Sequence, residues 1–206
     1  MNLQNATPKT HIRAILCDMS GVFIKGSLFS FLKKGYAYLQ KPYTFIPPTV
    51  EIIPKAFFLG QMDSKCAFEQ CFGMPLTDAQ FAHLTKLWQS TWTLDSEVYQ
   101  ILRKVMVPIS CVTNSDPLNF PIYQQKGYFD VFASVIASHE VHILKPDKAF
   151  FELAANSLGV SLDECLLIDD QERILQAVSQ FVGSTHKFTS TAELESALHE
   201  LALLDE

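Results

Sequence analysis

The sequence predicts an α/β fold, a doubly wound (Rossmann-like) parallel sheet with a helical segment inserted after the first strand. Three observations predict this class. Short runs of apolar and β-branched residues recur along the chain, amphipathic helix patterns separate them, and a long helical segment interrupts the alternation after the first run. We therefore expect an α/β core of residues 1–26 and 95–206 and a helical insert of residues 27–94.

Five runs are the predicted strands of the sheet. Three of them are nearly continuous apolar runs that end in polar residues, which is typical of parallel strands buried on both faces. One more run lies between the second and the third of these, and a weaker one follows near the end of the chain. In chain order, the predicted strands are 12–17, 107–113, 131–138, 164–169 and 186–189.

Three amphipathic patterns are predicted helices of the core. Residues 95–105 begin at an Asp or Ser cap, and residues 146–159 have a proline near the first turn and a glycine at the end. Residues 191–204 repeat leucine on one face. Because parallel strands are joined by right-handed crossovers, these helices are expected to cover the faces of the sheet.

Between residues 27 and 94 the alternation of strands and helices gives way to helix patterns alone. Two of these patterns start at favourable caps, one at Asp63 or Ser64 and the other at Thr77 or Asp78. The four predicted helices of the insert are 28–39, 48–60, 63–73 and 77–90.

Composition and charge argue against several classes of protein. With 206 residues, 48% of them hydrophobic and 18% charged, the chain can fold around a core. A formal charge of −6 without a basic stripe disfavours a nucleic-acid partner. The first nine residues lack the apolar core of a secretory signal, and prolines interrupt the most apolar regions, so no membrane span is expected. We expect a cytoplasmic protein that is a monomer or a homodimer.

Polar residues follow the three apolar strands, at the sheet edge where ligands of open parallel sheets bind. Three nearby carboxylates repel one another unless a hard divalent cation with oxygen ligands, above all Mg²⁺, binds between them. A lysine and a hydroxyl beside such a metal suit a phosphoryl group. The residues are Asp18 after the first strand, Thr113 and Asn114 after the second, Asp169 and Asp170 after the third, and Lys145 in the loop before the predicted helix 146–159.

Four motifs in this order resemble those of the haloacid dehalogenase superfamily of aspartyl-nucleophile phosphatases and phosphotransferases. They are "DMSGV" from Asp18, "CVTN" from Cys111, "KPDKAFFELAANSLGV" from Lys145 and "CLLIDD" from Cys165. The resemblance implies that the insert of residues 27–94 is a helical cap over the core. More narrowly, the chain resembles the branch with sugar-1-phosphate phosphatases and the phosphatase domain of soluble epoxide hydrolase.

The resemblance implies a role for each residue at the strand ends. Asp18 would be the nucleophile that forms an aspartyl-phosphate, and it would also bind Mg²⁺. Ser20 would offer the metal its backbone carbonyl, Asp170 would bind the metal directly, and Asp169 would act through water or by holding the direct ligands in place. The remaining three residues, Thr113, Asn114 and Lys145, would bind the phosphorylated substrate, and Lys145 would also pair with the nucleophile.

Ser20 departs from the pattern of the family phosphatases. In those enzymes an acid at this position protonates the leaving oxygen and then activates water, a contribution on the order of 10²–10⁴-fold in rate. A serine hydroxyl is too weak an acid and too weak a base for either task. Elsewhere in the superfamily, the ion-pumping ATPases have Thr at this position, which suits an aspartyl-phosphate that must persist.

Three interpretations follow from this departure. The first is a slow phosphatase of a small phosphorylated metabolite whose leaving group departs easily, or for which substrate or cap supplies the acid. The second is a binding protein that keeps affinity for Mg²⁺ and a phosphorylated ligand or partner. The third is another reaction on Asp18 such as dehalogenation, which nothing in the sequence supports. We favour the first because the set of Asp18, Thr113, Lys145 and Asp170 is complete.

Overall fold

The computed structural model describes residues 11–43 and 52–205. Its strands are β1 (Ala14–Cys17), β2 (Ile24–Lys25), β3 (Thr93–Leu94), β4 (Ile109–Thr113), β5 (Ser134–Ala137), β6 (Cys165–Asp169) and β7 (Ser184–Lys187). Its helices are α1 (Leu28–Tyr38), α2 (Lys55–Phe58), α3 (Ser64–Phe72), α4 (Asp78–Thr91), α5 (Ser96–Leu102), α6 (Phe120–Gln125), α7 (Ser138–Val141), α8 (Lys148–Ser157), α9 (Glu172–Val178) and α10 (Thr191–Glu200).

Five strands form one parallel sheet in the order β5-β4-β1-β6-β7, which confirms the predicted fold class. The central strand β1 explains why the strand runs are continuously apolar. Its side chains alternate between two buried clusters, with Ile15 and Cys17 on one face and Ala14 and Leu16 on the other. Helices cover both faces, so each side chain of β1 is buried whichever way it points.

The last strand lies two residues earlier than predicted, at Ser184–Lys187 instead of 186–189. It is the edge strand beside β6, and its residues alternate between half-buried and exposed. Such a strand has no apolar run to mark its start. Its position is set by its pairing with β6, which runs from Leu166 opposite Ser184 to Asp169 opposite Lys187.

Helix boundaries follow the caps more closely than the apolar patterns. Helix α8 begins at Lys148, because the Asp147 side chain accepts a hydrogen bond from the Ala149 backbone N–H and caps it. Helix α4 begins after Thr77, which forms a capping box with Gln80. Of the predicted helix 48–60, residues 48–51 lie outside the described residues, and the rest is helical only over α2.

The insert has a hydrophobic core of its own. Helices α1, α3 and α4 contribute Phe31, Phe68, Phe72 and Trp88 to one buried aromatic cluster. The chain leaves the α/β core through β2 and returns through β3, and these two short strands pair in antiparallel fashion. The insert is therefore joined to the core by two adjacent strands. In the described part of the chain, no helix combines the length and the apolarity needed to cross a bilayer.

Candidate active site

The carboxyl ends of the three central strands place four of the candidate residues at one edge of the sheet. Asp18 directly follows β1, Asp169 ends β6 and Asp170 follows it. One carboxylate oxygen from each of these three acids can be chosen so that all three oxygens lie within 4.8 Å of one another. Thr113 is the last residue of the neighbouring strand β4 and is fully buried. Acids far apart in the sequence therefore meet here.

Lys145 is buried between two of the carboxylates. Its Nζ atom lies 2.8 Å from Asp18 Oδ1 and 2.8 Å from Asp169 Oδ2. Asn114 positions the lysine, because its Oδ1 accepts a hydrogen bond from the Lys145 backbone N–H at 2.9 Å and its Nδ2 donates to the Lys145 carbonyl at 3.4 Å. The side chain of Asn114 is thus used to hold the lysine loop, and its contact with a substrate stays a prediction.

Burial and mutual repulsion disfavour the ionised form of the acids. Burial raises the pKa of Asp18 to about 7. The positive charge of Lys145 opposes this rise, and the negative charge of Asp169 adds to it. Burial and then the charge of Asp169 also raise the pKa of Asp170. Burial alone would lower the pKa of Lys145, but Asp18 and Asp169 outweigh it and raise that pKa. One lysine therefore does not compensate three acids, and a second positive charge would stabilise the site.

Two buried oxygens at this edge, Thr113 Oγ1 and Asp170 Oδ1, have no hydrogen-bond partner among the described residues. Leaving a buried polar atom unpaired costs about 1–3 kcal/mol, so such atoms indicate a ligand. A carboxylate oxygen without a donor, beside two other acids, fits a hard cation such as Mg²⁺. An unpaired hydroxyl fits an anionic oxygen. The residues present are therefore suited to a divalent cation together with a phosphoryl group.

The loop after β1 shapes the site through its backbone. The Met19 backbone N–H donates to Asp18 Oδ1 at 2.7 Å. Gly21 has a φ of 90°, and a Cβ atom at this position would overlap the carboxylate of Asp170. Its carbonyl accepts a hydrogen bond from Lys25 Nζ at 2.9 Å. Only a glycine therefore lets the loop approach Asp170 so closely.

For the Mg²⁺ site predicted from the sequence, replacing Gly21 with Ala is expected to weaken Mg²⁺ binding at least tenfold and to lower the free energy of unfolding by about 1–3 kcal/mol. The strained φ lowers stability, and the overlap displaces Asp170. Calorimetric titration with Mg²⁺ and urea unfolding measure the two effects. Gly159→Ala is the matched control, because Gly159 has a φ of 69° but open space where its Cβ would lie. Equal Mg²⁺ affinity in the two variants would contradict the contact with Asp170.

Ser20 is partly exposed and lines a cavity of about 430 Å³ between the insert and the core. Among the described residues lining this cavity, the one carboxylic acid is Asp116. Its Oδ1 accepts hydrogen bonds from Trp88 Nε1 at 3.2 Å and from the backbone N–H groups of Leu118 and Asn119 at 2.9 and 3.0 Å. Asp116 thus joins α4 of the insert to the core, and the described lining offers no free acid in place of Ser20.

Sequence reasoning missed two charged residues near the site. Lys25, on the unpredicted strand β2, has a side chain 40% exposed, and its charge lowers the pKa of Asp170 against the larger effect of burial. No sequence pattern marks it, because a two-residue strand has no periodicity. Asp116 was detectable in principle, since it lies two residues after Asn114 at the end of β4.

Comparison with known proteins identifies the family. The sequence-family model of the haloacid dehalogenase-like hydrolases matches residues 12–181 of this chain. A comparison with curated proteins gave no match.

Three solved structures illustrate the likeness in fold. "A predicted HAD-like family hydrolase" from Porphyromonas gingivalis has 16% identity and a TM-score of 0.74, over 95% of this chain and 100% of its own. A HAD family enzyme from Bacteroides thetaiotaomicron, in complex with magnesium and inorganic phosphate, has 17% identity and a TM-score of 0.66, over 86% and 94%. L-2-haloacid dehalogenase from Xanthobacter autotrophicus has 15% identity and a TM-score of 0.61, over 93% and 83%. At these identities the likeness shows the fold alone.

Proposed function

The chain belongs to the haloacid dehalogenase-like hydrolases, and from this premise we propose that it is a Mg²⁺-dependent phosphatase of small phosphorylated metabolites. The observation that carries the proposal is the buried group of Asp18, Lys145 and Asp169, with the unpaired Thr113 Oγ1 at the same sheet edge. In addition, the related Bacteroides enzyme holds magnesium and inorganic phosphate. The haloacid dehalogenase superfamily predicted from the motifs is confirmed, whereas the sugar-phosphatase branch stays a prediction.

Asp18 is the nucleophile in this proposal. The hydrogen bond that it accepts from the Met19 N–H and its ion pair with Lys145 both use Oδ1, which leaves Oδ2 as the oxygen that attacks phosphorus. The two donors fix the orientation of the carboxylate before the substrate arrives. The product of the first step is an aspartyl-phosphate on Asp18, with the leaving group released.

Thr113 and Lys145 hold the phosphoryl oxygens. The buried hydroxyl of Thr113 gains the partner that it lacks, and the ammonium of Lys145 compensates charge on both the phosphoryl group and Asp18. Mg²⁺ bound among Asp18, Asp169 and Asp170, with the Ser20 carbonyl, would supply the additional positive charge that keeps Asp18 ionised. The Gln171 backbone N–H donates to Asp169 Oδ1 at 2.8 Å and keeps that carboxylate in place.

The insert of residues 27–94 is the cap of the enzyme in this proposal, and residues 1–26 and 95–206 are its core. The paired strands β2 and β3 are the natural hinge, because the chain passes between the two parts through them. Closure would exclude water from the cavity beside Ser20. The cytoplasmic location and the state of monomer or homodimer stay predictions.

The first phosphoryl transfer and the hydrolysis of the aspartyl-phosphate are both expected to be slow, because Ser20 neither protonates the leaving oxygen nor activates water. Ser20→Asp should therefore raise turnover of alkyl phosphates, whose leaving groups need a proton, by about 10²-fold or more. Rates of phosphate release from an alkyl phosphate and from p-nitrophenyl phosphate measure the effect, which should be larger for the alkyl ester. Ser196→Asp, on the exposed face of α10, is the control for the added charge. A folded Ser20→Asp variant that turns over alkyl phosphates no faster than the wild type would contradict the assignment of Ser20 to the acid position.

Hydrolysis of p-nitrophenyl phosphate and of a panel of phosphorylated metabolites, in Mg²⁺ and in EDTA, tests the proposed function. We expect turnover that requires Mg²⁺ and Asp18, and a phosphorylated protein on acid quench. Absence of such turnover, with Mg²⁺-dependent phosphate binding retained, would establish the alternative of a binding protein on a hydrolase scaffold.

A further inference from the structure

We propose that the substrate is an aryl phosphate, a phosphate monoester whose leaving group is an uncharged phenol. This inference rests on the proposed phosphatase function and deepens it. It is based on two independent observations, the chemistry of the cavity next to the nucleophile loop and the absence of an acid at Ser20.

The cavity extends from the nucleophile loop into the insert. Met19 and Ser20, directly after Asp18, line its core side, so a phosphate at Asp18 would direct its ester group into this space. The insert contributes apolar and aromatic side chains to the lining, including Phe29, Phe58 and Trp92. The volume of about 430 Å³ lies within the range of small-molecule sites and accommodates an aromatic ring.

The charges of the cavity disfavour a substrate whose ester group carries a carboxylate or another negative charge of its own. None of the described residues that line it is Lys, Arg or His, and the charged residue among them is the acid Asp116. A phosphorylated hydroxy acid would bring a carboxylate into an apolar space without a cation. A sugar would place several hydroxyls against an apolar wall that includes Phe29 and Phe58, which offers them few hydrogen-bond partners. An uncharged ring has neither cost.

Two polar atoms indicate a limited polar substituent on the ring. Asn119 Oδ1, an acceptor, and Trp92 Nε1, a donor, are buried without a hydrogen-bond partner in the described structure, and both residues line the cavity. A single hydroxyl on the ring could pair with one of them. The pattern of an apolar wall with one or two free polar atoms is typical of a site for a small aromatic ligand.

The absence of an acid at Ser20 separates aryl from alkyl esters, which the cavity alone does not. A phenol such as that of Tyr has a pKa of about 10. Water, which represents an alkyl alcohol, is a much weaker acid, with a pKa far above that of a phenol. A phenolate therefore leaves without prior protonation, whereas an alkoxide requires the acid that Ser20 does not supply.

The reaction balances without any further reactant. The bond between phosphorus and the phenolic oxygen breaks, its electron pair stays on the phenolate, and a bond forms between phosphorus and Asp18 Oδ2. The phenolate then takes a proton from water. In the second step, water attacks phosphorus, the bond between phosphorus and Asp18 Oδ2 breaks with its electron pair on Oδ2, and phosphate leaves with the protons of the water.

Intrinsic fluorescence tests ligand binding without turnover. The two tryptophans of the chain, Trp88 and Trp92, both line the cavity, so its occupation should change their emission. Phenylphosphonate, which cannot be hydrolysed, is expected to bind at least tenfold more tightly than methylphosphonate in the presence of Mg²⁺. Phe29→Ala should reduce this difference, and Leu153→Ala on α8, a similarly exposed apolar residue outside the cavity, should not. Equal affinity for the two phosphonates would overturn the inference.

Turnover distinguishes failure of this inference from failure of the proposed function. Values of kcat/KM for phenyl phosphate, hexyl phosphate and glucose 1-phosphate are compared in Mg²⁺, and phenyl phosphate should exceed both others by about 10²-fold or more. Turnover of hexyl phosphate or glucose 1-phosphate at least as fast as that of phenyl phosphate would overturn the aryl assignment and leave the phosphatase function intact. No Mg²⁺-dependent turnover of any ester would overturn the proposed function, and this inference with it.

Discussion

Replacing Asp18 with Asn is expected to lower kcat for p-nitrophenyl phosphate by about 10³-fold or more, because the amide cannot attack phosphorus. The phosphorylated protein should also disappear from acid-quenched samples. Asp63→Asn is the control, since Asp63 caps α3 through hydrogen bonds that Asn can also accept. An Asp18→Asn variant with substantial turnover would rule out Asp18 as the nucleophile.

The same substitution is expected to leave the fold intact and to increase its stability at pH 8 in EDTA. The sign follows from the pKa of Asp18, which burial raises from 3.8 to about 7. Between these two values the folded state holds a proton that the unfolded state has lost, so wild-type stability decreases as the pH rises through this window. The neutral Asn does not have this dependence. Urea unfolding of both proteins at pH 5 and pH 8 measures this pH dependence. Added Mg²⁺ should reduce the difference in stability between the two proteins at pH 8.

Replacing Lys145 with Met is expected to have the largest effect on stability, a loss of about 3–5 kcal/mol in the free energy of unfolding at pH 8. The variant leaves Asp18 and Asp169 buried without the ammonium that now lies 2.8 Å from each. Without it, the pKa of Asp18 should rise further, so the loss should be smaller at pH 5, where the carboxyl is protonated, and should increase as the pH rises.

Urea unfolding at the two pH values checks this expectation. Lys148→Met, three residues along the chain, is the matched control because its side chain is 56% exposed and its ion pair is a surface pair with Glu152. Mg²⁺ should restore part of the stability of the Lys145 variant, since it would compensate the same carboxylates. A variant as stable as the wild type at pH 8 would show that Lys145 does not offset the buried acids.

Prediction from the sequence succeeded where a segment is buried on both faces. Strands β1, β4 and β6 are buried at every position and, apart from Ser110 and the polar residues that end β4 and β6, they are apolar, so their runs are visible without structural information. It failed for short or edge elements. The strands β2 and β3 have two residues each, and α6 has only six residues with a proline in its first turn, so no periodicity develops.

Candidate site residues were predictable because polar residues that end parallel strands meet at one sheet edge. That rule identified Asp18, Thr113 and Asp169 before any contact was known. It did not reveal which partners the side chains near the site bind. Asn114 supports the Lys145 loop with its side chain, and Asp116 is occupied by donors from α4 and its own loop. The contact of Asn114 with Lys145 and that of Asp116 with Trp88 join residues about 30 positions apart, such as the 31 that separate Asn114 from Lys145.

The sequence by itself determined the class of fold, the superfamily and the acids available for a metal, because apolar runs and the residues that end them are local properties of the chain. Only the tertiary structure decided that one lysine lies between two of three acids, that Gly21 must lack a side chain, and that the space beside Ser20 is apolar. The physical reason is that burial, charge compensation and the shape of a cavity arise from residues brought together by folding. Their energies depend on contacts that no single segment contains.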